Sequence, residues 1–394
     1  MTVPPVALFA ANRGYALASS RRLLVEALVA QGWRVVLATA DDDHARSLEA
    51  SGAEVAAVAF ARSGLHPTMD VGAYRRLRAL HRRLRPRLTH CFHAKPIILG
   101  GLAAGAGATG TGVVVHTITG LGQAFERPGL RGSVVRRLAA AGYRRVLHRA
   151  GAVIFQNPDD QQLFLHQGWA PEERSHLLLG SGVDLQRFQP VEEESVEKAP
   201  RVVFAARLLW PKGVREFVEA ARILRQTHPE ARSQIAGEVD PRHPEAVPEE
   251  WLRGAEKEGI IELLGYRPDL EKVLAGAAVF ALPSYYREGV PRVALEAAAC
   301  AVPVVAADAP GSRETVVDGE TGLLVPPREG EALARAVAAL LEDADLRRRM
   351  GAAGHRRAVE EFGLRRRTVE QLEIYRRAGL PEIEPVLAST EDRG

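Results

Sequence analysis

Two carboxylates flank a proline in the stretch REGVPRVALE, residues 287–296. Glu288 falls in what reads as a loop, Glu296 inside what reads as a helix. The preceding ALPS (281–284) ends a strand, and Pro291 suits the first helical position, where its missing N–H would have had no partner. From Pro291 to Glu296 a helix advances about 7–8 Å at 1.5 Å per residue. The carboxylates are therefore spaced to hold two ends of an elongated ligand. The helix start between them offers free N–H groups and partial positive charge, a seat for phosphate. A sugar, a diphosphate and a ribose in a row fit this layout. A capped surface helix accounts for the same stretch equally well.

A second stretch tips the balance. RLLWPKG (207–213) follows the first strand of the back half of the chain. Arg207, with a planar fork of donors, and Lys212, a point charge, are suited to balance a diphosphate. Either one alone reads as a surface cation. Two cations and two carboxylates on loops expected to line one cleft read as a binding site.

Two other motifs carry less. GAGATG (105–110) matches G-x-G-x-x-G, yet an apolar helix precedes it and a strand follows, the reverse of the dinucleotide-binding order. DDD (41–43) follows a strand and opens a helix, where acidic residues cap N–H groups and complement the dipole. No protein-held metal is expected.

These residues need a scaffold, and the chain supplies one. PVALFA (5–10), RVVLATA (34–40), VVVHTITG (113–120) and AVIFQN (152–157) are short apolar runs separated by helical periods, the first by an amphipathic stretch from Ala18 to Gln31. After the charged VEEESVEKAP (191–200) the alternation restarts with RVVFAAR (201–207), SQIAGE (233–238), IELLGY (261–266), AVFALPS (278–284) and VPVVAAD (302–308). Strands apolar on both faces and joined by helices indicate parallel sheets. The expected architecture is α/β, with two doubly wound Rossmann-like domains over 1–190 and 191–380 facing an interdomain cleft, and a flexible tail over 381–394.

At 394 residues the chain exceeds one ordinary core, and 46% hydrophobic with 26% charged residues reads as globular. Its net charge of +3 hides an asymmetry. Residues 1–190 hold 23 Lys+Arg against 13 Asp+Glu, a surplus of +10, and the remainder holds 29 against 36, a deficit of −7. Cys91 and Cys300 form no metal-spacing pattern and fit a reducing cytoplasm. No run of residues is long and apolar enough to span a bilayer. The expectation is a cytoplasmic protein, either free or peripheral on the inner face of the cell membrane. Nucleic acid is disfavoured by low aromatic content and the acidic back half.

The sequence resembles the retaining glycosyltransferases of family 4, which have the GT-B fold. ALPSYYREGVPRVALEAAACAVPVVAADAPGSRETVVDGETGLLVPP (281–327) carries that family's Glu-x7-Glu signature, and GSGVDLQRF (180–188) resembles its interdomain crossover. HTITGLGQAFE (116–126) and HCFHAKP (90–96) resemble a bacterial branch that adds sugars to polyprenyl-diphosphate-linked saccharides for surface polysaccharides. The resemblance implies transfer of a hexose or N-acetylhexosamine from a UDP-sugar to a saccharide acceptor, with retained anomeric configuration and no cofactor beyond the donor. It implies that Glu296 holds the ribose diol and Glu288 the donor hexose, and that the backbone of Gly289, Val290 and Pro291 lies against sugar and phosphate. Arg207 and Lys212 would neutralise the leaving diphosphate, and Gly14 would let the backbone approach the donor phosphate. His116 would sit under the transferred sugar, and the backbone around Tyr266 would meet the nucleobase. The chain departs from the family pattern with a single glycine in ANRGYALASS, with Ala301 where a glycine is usual, and with Ser312 where a cysteine is common.

Nothing marks out a glycosidase-type carboxylate dyad. A front-face displacement fits instead, with diphosphate departure and attack by the acceptor hydroxyl on the same face. Arg13, His93 and Lys95 are candidates for the acceptor's diphosphate or sugar. AYRRLRALHRRLRPRL (73–88) and RGSVVRRLAAAGYRRVLHRA (131–150) are arginine-rich with apolar residues at helical spacing. They suit an anionic membrane surface carrying a lipid-linked acceptor, or simply a core face opposite a solvated one. A nucleotide-sugar epimerase or hydrolase on the same fold, and a non-catalytic nucleotide-sugar-binding protein, are the competing readings.

Overall fold

The computed structural model describes residues 3–61, 66–106, 112–121, 129–191, 199–241 and 243–387. The chain divides into two compact units, Met1–Ser181 with Leu364–Gly394, and Gly182–Gly363.

Unit 1 is built on seven strands: β1 (Val6–Ala10), β2 (Arg34–Thr39), β3 (Ala53–Ala57), β4 (Leu88–Phe92), β5 (Val113–Ile118), β6 (Ala152–Phe155) and β7 (Ser175–Leu177). They lie in the order β3-β2-β1-β4-β5-β6-β7, every neighbouring pair parallel. Helices α1 (Gly14–Ala18), α2 (Arg22–Ala30), α3 (Asp43–Arg46), α4 (Pro67–Leu84), α5 (Ala94–Ala106), α6 (Gly129–Leu147) and α7 (Pro158–His166) make the crossovers. β1, VALFA, is buried along its whole length, because a central parallel strand is covered on both faces. Its residues alternate between two cores. Ala7 and Phe9 join α2 in one, while Val6, Leu8 and Ala10 join residues of α4 and α5 in the other.

Unit 2 repeats the plan with β8 (Arg201–Ala205), β9 (Arg232–Ala236), β10 (Glu262–Gly265), β11 (Val279–Leu282), β12 (Val304–Ala307) and β13 (Gly322–Val325). The order is β10-β9-β8-β11-β12-β13, again parallel throughout. Its helices are α8 (Val214–Thr227), α9 (Glu249–Lys257), α10 (Leu270–Ala275), α11 (Arg292–Ala299), α12 (Gly330–Glu342) and α13 (Ala344–Phe362). In each sheet the strand order reverses beside the first strand, between β1 and β4 and between β8 and β11. At such a switch point the two crossovers leave in opposite directions and open a crevice beyond the carboxyl ends of the strands.

The boundaries differ from the sequence expectation. The chain leaves unit 1 at 181/182, before VEEESVEKAP, of which residues 192–198 lie outside the described residues. It returns at 363/364, so α14 (Leu364–Arg377) belongs to unit 1 and not to the back domain. The tie is a buried polar network. Gln371 Nε2 donates to Tyr375 Oη at 3.1 Å, Tyr375 Oη contacts His90 Nδ1, and His90 Nε2 lies 2.7 Å from Thr117 Oγ1. All partners are satisfied by a neutral His90 protonated at Nε2, an assignment made from the network. Burial, Arg21 and His116 all push that histidine well below its ordinary pKa. The expected flexible tail is also corrected up to residue 387. Leu380 and Ile383 are fully buried in the unit 1 core, and Glu382 pairs with Arg87 at 2.9 Å. Residues 388–394 lie outside the described residues.

Candidate functional site

The unit 2 switch point assembles most of the chemistry expected from sequence. Arg207 is exposed just beyond the end of β8. The chain then makes one tight turn over Trp210–Lys212 and passes through Gly213 at φ 85° into α8. Only glycine fits there, since a Cβ would stand 2.3 Å from the Pro283 carbonyl oxygen at the end of β11. That close approach brings Lys212 onto the loop after β11. Lys212 is 7% exposed, its Nζ pairs with Glu288 Oε1, and it lies 5.2 Å from the centre of the Tyr286 ring. Burial pulls the Lys212 pKa below its ordinary value and Arg207 adds to this, while Glu288 opposes both.

The Glu288 loop is held from several directions. Ser284 Oγ donates to Glu288 Oε1 at 3.4 Å, and Tyr285 N donates to Pro211 O at 3.0 Å. Behind it, Gly311 at φ 88° packs so close that a Cβ would meet the carbonyl oxygens of Gly289 and Glu288 at 2.3 and 2.4 Å. Ser312 Oγ donates to Ser284 O at 3.0 Å, which accounts for a small hydroxyl at that position. Val290 is buried, and Pro291 is the residue before α11, one place earlier than the first helical position expected. Glu296, midway along α11, is 5% exposed and accepts from Arg292 at 3.1 Å. Its charge also reaches Arg187, whose guanidinium lies 2.8 Å from Glu271 and whose pKa Glu296 helps to raise. Tyr266 is 62% exposed beyond β10, two strands from β8. Arg207, Lys212, Glu288, Gly289, Val290, Pro291 and Glu296 thus share one crevice edge, with Tyr266 farther along it. Ser284, Tyr286, Gly311 and Arg187 were not singled out from sequence. The first three lie inside the quoted signature and Arg187 inside GSGVDLQRF, but their roles depend on contacts that spacing does not reveal.

Three expectations in unit 1 change. His116 is fully buried at mid-strand in β5, neither ring nitrogen has a hydrogen-bond partner, and burial holds its pKa down at about 3. Its Cε1 would lie 3.2 Å from a Cβ on Gly101 of α5. It is a core residue between sheet and helix, and is not placed to lie under a transferred sugar. Gly14 donates its N–H to Asp42 Oδ2 at 3.1 Å, and a Cβ there would strike Asp42 Oδ1 at 2.2 Å. Packing of α1 on α3 explains this glycine, and its amide is already used. Lys95 pairs with Asp70 at 2.8 Å. Arg13 precedes α1, and His93 follows β4 directly with φ 68°.

The DDD stretch behaves as capping chemistry. Asp42 caps α3 by accepting from Ala45 N at 2.8 Å, and Asp41 pairs with Arg46 at 2.8 Å. GAGATG begins within the last turn of α5, and its residues 107–110 lie outside the described residues. Among the described residues no group of three or more His, Cys, Asp or Glu is placed to hold a metal ion.

Comparison with known proteins agrees with this division. The family described as "Glycosyl transferase 4-like domain" matches residues 17–179, and "Glycosyl transferases group 1" matches residues 186–357. The N,N'-diacetylbacillosaminyl-diphospho-undecaprenol alpha-1,3-N-acetylgalactosaminyltransferase of Campylobacter jejuni is 27% identical over 350 residues, 86% of this chain and 90% of that protein. Alpha-maltose-1-phosphate synthase of Mycolicibacterium smegmatis is 34% identical over 260 residues, 63% of this chain and 61% of its own length. Among solved structures, sucrose-phosphate synthase from Thermosynechococcus elongatus superposes with a TM-score of 0.77 at 23% identity, covering 95% of this chain and 98% of that one. Anabaena Alr3699/HepE in complex with UDP-glucose gives 0.76 at 20% identity, covering 94% and 99%. These structural likenesses show the fold. With one family matching each half, the chain joins a glycosyl transferase 4-like domain to a glycosyl transferases group 1 domain on the GT-B fold.

Proposed function

We propose that the protein is a retaining glycosyltransferase that moves a hexose or N-acetylhexosamine from a UDP-sugar to a lipid-linked saccharide, in the synthesis of a cell-surface glycan. The observation that carries this reading is the Lys212–Glu288 pair beside Arg207 at the unit 2 switch point. An ammonium so little exposed needs an anionic partner, and Glu288 supplies one before donor arrives. A donor diphosphate takes over that charge and frees Glu288 to accept from sugar hydroxyls. Glu296, about a turn and a half from the loop and nearly buried, is placed for the ribose diol. As the glycosidic bond breaks, Arg207, Lys212 and the start of α11 stabilise the departing diphosphate without reorganisation. The acceptor hydroxyl attacks the same face and passes its proton to the departing phosphate oxygen. Charge is balanced by side chains, so transfer persists in EDTA.

A lipid-linked acceptor is supported by the activity that names the Campylobacter relative and by the surface of unit 1. No helix among the described residues is long and apolar enough to cross a membrane. Instead, α6 exposes Val134 and Leu138, one turn apart, on the helix that also exposes Arg137, Arg144 and Arg145. Apolar residues among cations suit the surface of an anionic bilayer.

The test is a product screen by mass spectrometry, with UDP-, GDP- and ADP-sugars against short polyprenyl-diphosphate saccharides. A gain of one hexose or N-acetylhexosamine on the lipid, lost in Glu288→Ala, is the expected result. A nucleotide-sugar altered or hydrolysed with no gain on any acceptor supports the epimerase or hydrolase reading instead.

A further inference from the structure

Unit 1 has its own switch point, and it is lined with cations. β1 and β4 pair there with Ala10 opposite Cys91, so the segments after Ala10 and after Phe92 leave the sheet side by side. His93 turns the chain from β4 straight into α5, in a left-handed conformation (φ 68°) that is uncommon for a non-glycine residue and tends to be kept where a site requires it. Its Nδ1 is buried without a hydrogen-bond partner. The α5 helix that begins at the next residue aims the positive end of its dipole at the same edge. Arg21, just before α2, is 5% exposed with its guanidinium 5.1 Å from the centre of the Phe92 ring, the residue adjoining His93. Arg13 comes from the β1 loop. Burial first, then Arg21, hold the His93 pKa down at about 4 against a backbone hydrogen bond to Phe92, and Arg13 adds a smaller push, so both cations act on this imidazole. Asn12, whose buried Oδ1 also lacks a partner, offers an amide that can turn either end to a ligand. Lys95 is set apart by its pairing with Asp70.

We propose that Arg21, Arg13 and His93 form a diphosphate-binding site at the switch point of unit 1, separate from the group around Lys212 in unit 2. A diphosphate satisfies the buried imidazole nitrogen, receives the α5 dipole and balances two guanidiniums in a crevice where the fold places ligands. Arg21 is the new member, since nothing in its sequence context distinguishes it from the arginine beside it. The inference rests on the glycosyl-transfer reading only for the identity of the substrate that carries the diphosphate, either the lipid-linked acceptor or the nucleotide donor.

The first probe is inorganic pyrophosphate, titrated by calorimetry into the full chain carrying Lys212→Ala to silence unit 2. Adding Arg21→Gln or Arg13→Gln is expected to weaken binding at least tenfold, with Arg21→Lys restoring part of it. Thermal melts identify variants that fail to fold, and Arg13, less buried, provides a second route if Arg21→Gln does. Binding that is already absent in Lys212→Ala, or unchanged in both folded arginine variants, overturns the proposal. Kinetics then name the source. A rise in KM for a prenyl-diphosphate acceptor, with UDP affinity intact, assigns the site to the acceptor. A fall in UDP affinity assigns it to the donor. Pyrophosphate binding needs no transfer, so a protein that binds it but transfers no sugar keeps this site and loses the functional reading.

Discussion

Glu296 and His116 show how differently two candidates of similar promise fare at the scale of single residues. Glu296 is nearly buried yet faces the crevice edge with Arg292 and Arg187 in reach. We predict that Glu296→Gln raises the donor KM about tenfold, roughly 1.4 kcal/mol, with a smaller effect on kcat. Steady-state kinetics with varied UDP-sugar measure this. His116, sealed in β5, is predicted to be dispensable for transfer and costly in acid. Its pKa falls from an ordinary 6.5 to about 3 in the folded chain, so the unfolded chain binds the extra proton first. The stability it contributes is complete above pH 6.5 and is lost as pH falls toward 3, at about 1.4 kcal/mol per unit. Denaturant unfolding at pH 6.5 and 5.5 should show a loss in the wild type that is about 1 kcal/mol smaller in His116→Leu. The motif HTITG gave this histidine its apparent role, and the spacing alone could not reveal that its ring turns toward α5 and away from the strand end. The Glu288–Glu296 signature was legible for the opposite reason, because the proline and the helix period fix where both carboxylates emerge.

Among the elements, the loop after β11 is the one whose position matters most. Gly311→Ala places a Cβ against two carbonyl oxygens of the Glu288–Gly289 backbone in a left-handed residue. We expect a loss of about 1–3 kcal/mol in stability and a fall in kcat/KM that persists at temperatures where the variant is fully folded. The converse substitution lies at the end of α11, where Ala301 takes the left-handed position after Cys300. Ala301→Gly removes a strain of about 1–2 kcal/mol and adds back unfolded-state entropy of somewhat under 1, so the melting point should rise slightly. Sequence showed the glycine missing from its usual place, but not that its backbone kept the left-handed conformation. Strand-helix alternation was readable because parallel strands are apolar on both faces. The break between α1 and α2, inside the expected stretch from Ala18 to Gln31, was not, since nothing in ALASSRRLL interrupts a helical period.

At the scale of the whole molecule, two doubly wound units came through from the alternation, while their membership did not. Helix α14 looks like a continuation of the back domain in sequence, but Tyr375, Gln371 and Leu372 are buried against unit 1. Truncation after residue 363 should therefore destabilise unit 1, exposing His90 and the core around Phe9, and leave the fold of unit 2 intact. Hydrogen exchange on the truncated chain, read unit by unit, checks this. The +10 surplus of the front half has its own consequence. Val134→Ser with Leu138→Ser should weaken sedimentation with vesicles of anionic lipid several-fold at physiological salt, and 0.5 M salt should weaken the wild type too, since the Debye length shortens from about 8 Å to about 4 Å. Binding that both changes leave untouched would show that these helices merely face water.

The central claim is that Lys212 trades Glu288 for a departing diphosphate, and kcat/KM of Lys212→Ala with the donor and acceptor found by the product screen tests it most directly. The expected result is a fall of at least about a hundredfold, close to 2.7 kcal/mol of transition-state stabilisation, in a variant that still melts cooperatively. A fall of no more than about threefold, roughly 0.7 kcal/mol, would contradict it and remove the lysine from the reaction.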